Sequence, residues 1–502
     1  MHKKPFLWIF LFLFLFNFNS SAPGQVAESS EEQLLNNLHQ ISSNEIFEYV
    51  KELASEKFAG RLTGTPGFDA AAHWVAGHFK DWGISPLGDN NTFFQNFPIP
   101  YTLVFRGCEV SLQIPYKEGV IKKQYHFDDE FIPGSTSGSG EVTAEVIYAG
   151  YGITAPELGY DDYKGIDVKG KIVLIEREVP VSPADDAARF KKWRPYSFHQ
   201  YKLKNAVKHG AGGMLYNYGP IGNPNNAYDE NFIYSHVGKV VVADIFTGTS
   251  KNHKDVVTKI KEKLKPNSFA TGKIVTIKNV TEYHPEGMGA NVLGMIEGRD
   301  PKLKDEVIMV GAHLDHLGVS PELMPGANDN ASGVATLMGI AKALSAASIP
   351  LKRSVLFICF GAEEQAVIGS KYYLRHAKVP VRKTVCFFNL DGVGNGDKIS
   401  AAAGKNFPEL WRYAEQANEK YVHRILRPSY FANLARPRLD AARFLRAGIP
   451  SISFSAYGTQ SFYHNTKDTI ALITPEVMED LAKILFQAII NIADRDSVNF
   501  RK

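Results

Sequence analysis

The segment 306–315 reads EVIMVGAHLD, an apolar run that ends in a histidine and an aspartate. Its β-branched and aliphatic residues predict a buried strand over Glu306–Ala312. Similar runs follow at Ser354–Phe360, Thr384–Leu390 and Ser451–Phe454. Helical patterns lie between and after them, at Ala331–Ala347, Gln365–His376, Pro408–Asn418 and Pro475–Ala493. This alternation predicts a mixed α/β fold with a mostly parallel central sheet and helices on both faces.

Metal-binding residue types follow these predicted strands. They are His313, Asp329, the pair Glu363-Glu364, Asp391 and His464. In a doubly wound sheet, ligands gather at the carboxyl ends of the strands, so these side chains are expected to meet on one rim. Two imidazoles with carboxylates and no thiolate favour zinc or a close relative, and Asp329 is suited to bridge two ions. The pattern therefore predicts a hydrolytic site with two metals.

Asp315, His316 and Glu363 lie next to predicted ligands in the sequence and complete this prediction. Asp315 lies two positions after His313, so on a continuing strand both face the same side, and we expect Asp315 to orient His313 or its neighbours. His316, in the same loop, is interpreted as a bystander. Because adjacent residues point in different directions, Glu364 can bind metal while Glu363 remains available as a base.

Composition bounds the class of protein. The chain has 502 residues, which suggests two to four domains, and 44% hydrophobic with 22% charged residues is typical of globular proteins. The formal charge of +3 gives no case for nucleic-acid binding. Cys359 and Cys386 lie in apolar runs and are predicted to be buried thiols, with a disulfide as the alternative if their strands are neighbours.

Two further segments stand apart from this pattern. In residues 1–25, two lysines precede the apolar run 5–18 and small residues follow it, which predicts a secretory signal and export, with an uncleaved anchor as the alternative. From about 127 to 277, short predicted strands alternate with Gly- and Asp-rich turns, and Tyr201–His209 is predicted as a helix. We interpret this region as a small inserted α/β module.

The ordered ligand set resembles that of the secreted di-zinc aminopeptidase family, which includes aminopeptidase Y and the bacterial leucyl aminopeptidases and is related to glutamate carboxypeptidase and glutaminyl cyclase. The segment FAGRLTGTPG at 58–67 is similar to that family's N-terminal signature, so the resemblance extends from about Ser43 to the end. It implies that His313 and Asp391 bind one zinc ion and that Glu364 and His464 bind the other.

The same resemblance implies further roles. Asp329 would bridge both ions, Asp315 would lie behind His313, Glu363 would be the general acid/base, and Tyr463 would stabilise the tetrahedral intermediate. One departure stands out: relatives carry Ser-Asp-His where this chain has Leu439-Asp440-Ala441, so an unusual substrate pocket is expected.

The segments YKGIDVKGKIVLI at 163–175 and AGGMLYN at 211–217 resemble a protease-associated domain. The resemblances divide the chain into a signal peptide at 1–25, the N-terminal part of the peptidase domain at 26–126, the inserted domain at 127–280 and the metal-binding peptidase domain at 281–502. Protease-associated modules flank or shape peptidase clefts and are not catalytic themselves.

The implied activity is removal of the N-terminal residue from peptides with a free N-terminus. A glutamate carboxypeptidase-like enzyme is the first alternative, although such chains carry arginines where residues 451–457 read SISFSAY. A cyclase-like transferase would use a reduced ligand set and one zinc. A non-catalytic peptide-binding, receptor-like homologue would have lost ligands or the base. Side-chain preference and oligomeric state are not fixed by the sequence.

Overall fold

The computed structural model describes residues 2, 30–117, 119–225, 227–347, 349–431 and 439–501. Apart from His2, the predicted signal peptide lies outside these residues. No helix within the described ranges has the length and apolar character needed to cross a membrane. The described chain forms two large sheets, one in the region that bears the predicted ligands and one in the insert.

The first sheet has nine strands: Ser85–Pro86, Phe94–Pro98, Met288–Ile296, Val307–His313, Ser354–Phe360, Thr384–Leu390, Lys398–Ala402, Leu426–Ser429 and Ser451–Tyr457. Val307–His313 pairs in parallel with Ser354–Phe360 on one side and Thr384–Leu390 on the other, and Ser451–Tyr457 extends the parallel group. Antiparallel pairs flank this group on both sides. The predicted mixed α/β fold is confirmed.

The chain runs from Val307–His313 to its neighbour on one side and then to its neighbour on the other. This reversal of strand order makes Val307–His313 a topological switch point, where the connections leave in opposite directions and open a crevice at the carboxyl ends of the strands. The fold therefore places His313, the last residue of the central strand, at the bottom of that crevice.

Helices cover both faces of this sheet. They are Ser30–His39, Ser43–Leu53, Pro66–Asp81, Ser332–Ala346, Ile368–Arg375, Pro408–Ala417, Asp440–Arg446 and Pro475–Asp494. Because side chains alternate along a strand, Ile308 and Val310 pack into one apolar cluster, while Met309 packs with Phe444 in another on the opposite face. Burial on both faces explains why these strands are continuously apolar rather than alternating.

The sequence predicts a helix over Ser43–Phe58 with Ser43 as its candidate cap, and the structure differs from this prediction in detail. The helix Ser43–Leu53 is capped by Ser42, whose side chain accepts from the Glu45 N–H at 3.5 Å, and not by Ser43. Ser43 instead lies within the helix, and its N–H donates to Glu479. Cys359 and Cys386 are buried free thiols, which confirms the prediction, and the alternative disulfide does not form because Val307–His313 lies between their strands.

The second sheet has eight strands: Glu109–Tyr116, Gly119–Gln124, Phe131–Pro133, Gly140–Tyr148, Ile172–Glu176, Gly213–Asn217, Ile233–Val237 and Phe269–Asn279. Four helices accompany it: Ala187–Trp193, His199–Lys208, Lys239–Phe246 and His253–Lys263. The hairpin 109–124 belongs to this sheet although it precedes residue 127. Two-stranded pairs complete the described strands: Tyr101–Val104 with Thr281–His284, and Thr154–Ala155 with Tyr160–Asp161.

Candidate metal centre

The crevice at the switch point collects residues from four parallel strands. His313 ends the central strand, the Glu363-Glu364 pair follows Ser354–Phe360, and Asp391 comes directly after Thr384–Leu390. His464 lies in the loop after Ser451–Tyr457. Because the carboxyl ends of these strands share one edge, side chains that are distant in sequence meet there.

Asp329 lies between the two predicted histidine ligands. It belongs to the segment Ala327–Ala331, which leads into the helix Ser332–Ala346. Its Oδ1 is 3.2 Å from Nε2 of His313, and its Oδ2 is 3.2 Å from Nε2 of His464. Each carboxylate oxygen thus faces a different imidazole, which is the arrangement that a carboxylate shared by two cations requires.

Two groups of ligand atoms form around Asp329. In the first, atoms of His313, Asp329 and Asp391 lie within 4.8 Å of one another, with Nε2 of His313 3.5 Å from Oδ1 of Asp391. On the other side, Nε2 of His464 is 2.9 Å from Oε2 of Glu364. The structure therefore brings all five predicted ligands together, and Asp329 is common to both groups.

His316, interpreted from the sequence as a bystander, lies inside this cluster. It is fully buried, and its Nδ1 is 3.0 Å from Oε1 of Glu364, the carboxylate oxygen that faces away from His464. Ligand atoms of His316, Asp329 and Glu364 also lie within 4.8 Å of one another. Its place in the loop after His313 was the only signal in the sequence, and that signal does not distinguish a surface histidine from a buried one.

Asp315 supports the site through contacts to the adjacent glutamates as well as to His313. Its two carboxylate oxygens accept the backbone N–H groups of Glu363, at 3.1 Å, and Glu364, at 3.2 Å. Its backbone carbonyl lies 3.0 Å from Nδ1 of His313, whereas its carboxylate is 3.7 Å away from that nitrogen. Asp315 therefore holds the two adjacent glutamates and orients His313 at the same time.

Two further buried charges hold the ligand loops, and sequence reasoning assigned a role to neither. Asp468 accepts the backbone N–H groups of Asn328 at 3.0 Å and Asp329 at 2.9 Å. Arg61 is fully buried, and its guanidinium donates to the backbone carbonyl of Leu314 at 2.9 Å and to two carbonyls of the loop before Asp329, as well as to a helix end. A buried guanidinium requires such acceptors, and here they join the loop after His313 to the loop before Asp329.

Glu363 differs from its neighbour in its surroundings. Its carboxylate forms no ion pair with any residue in the described parts of the chain. It lines a cavity of about 70 Å³ together with Glu364, Tyr463 and His464. Burial raises the pKa of Glu363 well above its usual value, and the Glu364 carboxylate raises it further, although His313 opposes the shift. Glu363 is thus next to the ligand cluster without being held in it.

The cavity beside Glu363 is shared with the insert. Its remaining wall includes four side chains of the insert, His199, Tyr218, Asn223 and Asn225. Tyr463 is 51% exposed, and its ring stacks on His464 with 3.6 Å between the centroids. Tyr463 is therefore both accessible and adjacent to a predicted metal ligand.

Asp440, which the sequence singled out, opens the helix Asp440–Arg446 and is buried. Burial raises its pKa to about 7, and the neighbouring carboxylates Asp315 and Asp391 contribute in the same direction while His313 opposes them. The residue therefore lies within electrostatic reach of the His313 side of the cluster.

The clustered imidazole nitrogens and carboxylate oxygens are better suited to binding divalent cations than to hydrogen bonding with one another. Nε2 of His464 lies within 3.2 Å of two carboxylate oxygens, yet it makes no directed hydrogen bond to any described residue. Burial alone would lower the pKa of His313, but the carboxylates of Asp315, Asp329 and Asp391 raise it well above its usual value. Imidazole nitrogens and carboxylate oxygens that cluster within 4.8 Å of one another are the ligand types that bind zinc.

Comparisons with known proteins agree with this fold. Residues 291–489 match the model of Peptidase family M28, and residues 142–251 match the model of the PA domain. Aminopeptidase YwaD of Bacillus subtilis strain 168 is 28% identical over 354 residues, which make up 67% of each chain. The aminopeptidase from Aneurinibacillus sp. strain AM-1 gives a TM-score of 0.65 at 22% identity, covering 94% of this chain and 98% of that one. BSAP, a zinc aminopeptidase from Bacillus subtilis, gives 0.60 at 20% identity, covering 92% and 98%.

Proposed function

Since the chain belongs to peptidase family M28 and carries an inserted PA domain, we propose that it is an exported zinc aminopeptidase that removes the N-terminal residue of peptides. The observation that carries this proposal is the position of Asp329, with one carboxylate oxygen directed at His313 and the other at His464. Further support for zinc and for the amino end comes from two relatives, the aminopeptidase YwaD and the zinc aminopeptidase BSAP.

The ligand assignment follows from the two groups around Asp329. His313 and Asp391 would hold one ion, Glu364 and His464 the other, with Asp329 between them. When bound, the two zinc ions supply Lewis acidity and an acidified water. All five side chains are anchored by buried polar contacts or by the ends of sheet strands, so the donors are held in place before the ions bind.

Glu363 would move the proton in this reaction. Its carboxylate takes a proton from the attacking water and returns it to the leaving amine, and its position in the cavity beside the ligands supports that role. A positioned acid/base group of this kind contributes typically about 10²–10⁴-fold to the rate. Tyr463 would donate its hydroxyl to the developing oxyanion of the substrate, as its exposure and its stacking on His464 allow.

Export is part of the proposal and rests on residues 1–25. Two lysines, an apolar run and small residues occur there in the order of a secretory signal. The expected partners are peptides with a free N-terminus. Nucleic acids and, after signal cleavage, a stable membrane anchor are not expected.

The deciding experiment measures metal content and hydrolysis with the purified mature chain. Peptides of the same sequence are supplied with free or acetylated N-termini, and products are identified by mass spectrometry. About two zinc ions per chain, with cleavage of only the free-amine peptides, would support the proposal. Release of C-terminal residues would indicate a carboxypeptidase instead. One metal or none, without turnover, would contradict the two-metal mechanism and favour a cyclase-like or binding protein.

A further inference from the structure

The inserted domain contacts the loop that carries His464. Nδ1 of His464 lies 2.8 Å from the backbone carbonyl of Gly222, and the N–H of Gly222 donates to the backbone carbonyl of His464 at 2.8 Å. The two residues thus exchange a reciprocal pair of hydrogen bonds across the domain boundary. Because a carbonyl oxygen can only accept, the proton of the neutral imidazole belongs on Nδ1, where the Gly222 carbonyl accepts it. Nε2, which faces Asp329 and Glu364, then carries the lone pair that can bind a cation.

The segment around Gly222 is itself fixed within the insert. Nδ1 of His236 is 2.6 Å from the carbonyl of Ile221, and the N–H of Asn223 donates to Oγ of Ser135 at 3.2 Å. The side chain of Asn223 also bonds to His199 at 2.9 Å. The residues on both sides of Gly222 are therefore tied to the insert's sheet and helices, so the carbonyl that meets His464 has a defined position.

A second contact holds the same loop from another part of the insert. Oγ1 of Thr466 donates to Oδ2 of Asp128 at 2.7 Å, and the N–H of Thr466 donates to Oδ1 at 3.3 Å. Lys467 pairs with the exposed Asp129 at 2.6 Å and lies 3.7 Å from Oδ2 of Asp128. An apolar contact adjoins these bonds, because Ile132 of the insert packs with Leu317 and Met324.

We propose that the inserted domain is a positioning element of the metal centre, which sets the tautomer and orientation of His464 through Gly222 and holds its loop through Asp128. This inference rests on the proposed function, because it assigns His464 to a zinc ion. Partners that orient a metal-bound histidine typically affect metal affinity by about 10–100-fold. Coupling between two sites is reciprocal, so zinc binding at His464 must also stabilise the insert's segment around Gly222.

The first test is hydrogen exchange of the full chain with and without zinc, which does not depend on activity. Zinc is expected to slow exchange of the amides at 219–225 in the insert, including the Gly222 N–H. The strand Ile172–Glu176, which lies elsewhere in the insert's sheet, provides the internal control and is expected to be unchanged. Protection of the ligand loops without any change at 219–225 would overturn the inference.

The second test compares Thr466→Val with Lys467→Gln. Thr466→Val removes the hydroxyl that bonds to Asp128 and keeps the shape of the side chain, and we expect it to weaken one of the two zinc sites by about tenfold in titrations against a competing chelator. Lys467→Gln removes the ion pair with Asp129 and the longer contact of 3.7 Å to Oδ2 of Asp128. It keeps both hydrogen bonds of Thr466 to Asp128, so it is expected to change affinity by less than about twofold. Equal affinities in Thr466→Val and the wild type would contradict the inference. If the wild type binds no zinc at all, the proposed function itself fails.

Discussion

Replacing Glu363 by glutamine separates the chemistry of this site from its metal binding. Glutamine has the same shape but does not accept the proton that Glu363 is proposed to take. Since the Glu363 carboxylate contacts none of the histidines in the described residues as an ion pair, the ligand set stays intact. The Asp315 contacts also persist, because they involve the backbone N–H of Glu363 rather than its side chain.

The expected loss follows from these contacts. Acid/base catalysis contributes about 10²–10⁴-fold, so kcat should fall by that factor, equivalent to about 3–5 kcal/mol in the activation barrier. KM and zinc content should stay near the wild-type values. Burial of Glu363 raises its pKa, which means that the ionised form is disfavoured there, so the neutral amide is not expected to lower the thermal stability.

The matched control is Glu364→Gln, one residue away. Glu364 lies 2.9 Å from Nε2 of His464 and 3.0 Å from Nδ1 of His316, so this variant should lose zinc as well as activity. Both variants are assayed by steady-state kinetics, zinc analysis of the dialysed protein and thermal unfolding. The assignment of Glu363 is refuted if Glu363→Gln retains more than about a tenth of the wild-type kcat, or if it loses zinc as Glu364→Gln does.

Three other substitutions test the remaining contacts. Asp329→Asn replaces the carboxylate that faces both His313 and His464, so zinc analysis should show loss of both ions. Loss of only one ion would argue against bridging by Asp329. Asp315→Ala leaves two buried backbone N–H groups without acceptors, at about 1–3 kcal/mol each, so denaturant unfolding should show lower stability and chelator competition should show weaker zinc binding. Burial raises the pKa of Asp162 in the insert from 3.8 to about 7, so this group's stabilising contribution is complete below pH 3.8 and is lost as the pH rises towards 7. Relative to Asp162→Asn, the wild type should lose about 3 kcal/mol of unfolding free energy between pH 5 and pH 8, and parallel stability curves would disprove this.

The central sheet was predictable because its strands are buried on both faces. A strand such as Ser354–Phe360 has apolar residues at every position after Ser354, and the structure gives it the predicted bounds. The rim was predictable for the same reason, since each predicted ligand follows a strand of this kind and parallel strands share one carboxyl edge. Capping at Ser42 rather than Ser43 shows the limit of local rules, because two adjacent serines satisfy the same preference.

The supporting residues were less predictable, because their contacts join distant parts of the chain. Asp468 bonds to the backbone of residues about 140 positions earlier, and nothing in the neighbourhood of Asp468 indicates that partner. His316 looked like any loop histidine, and only the folded position of Glu364 gives it a role. Arg61 offered a weak signal, since it lies between the glycines of the segment 58–67, but its carbonyl acceptors are visible only in the fold.

The contact between Gly222 and His464 was not predictable from side chains at all. The acceptor at Nδ1 of His464 is a backbone carbonyl, and every residue carries one, so the sequence at position 222 does not identify it. What selects this carbonyl is the position of the segment around Gly222 within the insert, which the bonds of Ile221 and Asn223 fix. In a peptidase domain of this kind without the insert, Nδ1 of the corresponding histidine would require another acceptor or water. The insert therefore contributes to the metal centre as well as to the wall of the cavity beside Glu363. If the zinc titrations give the expected result, removing the insert would weaken zinc binding at His464.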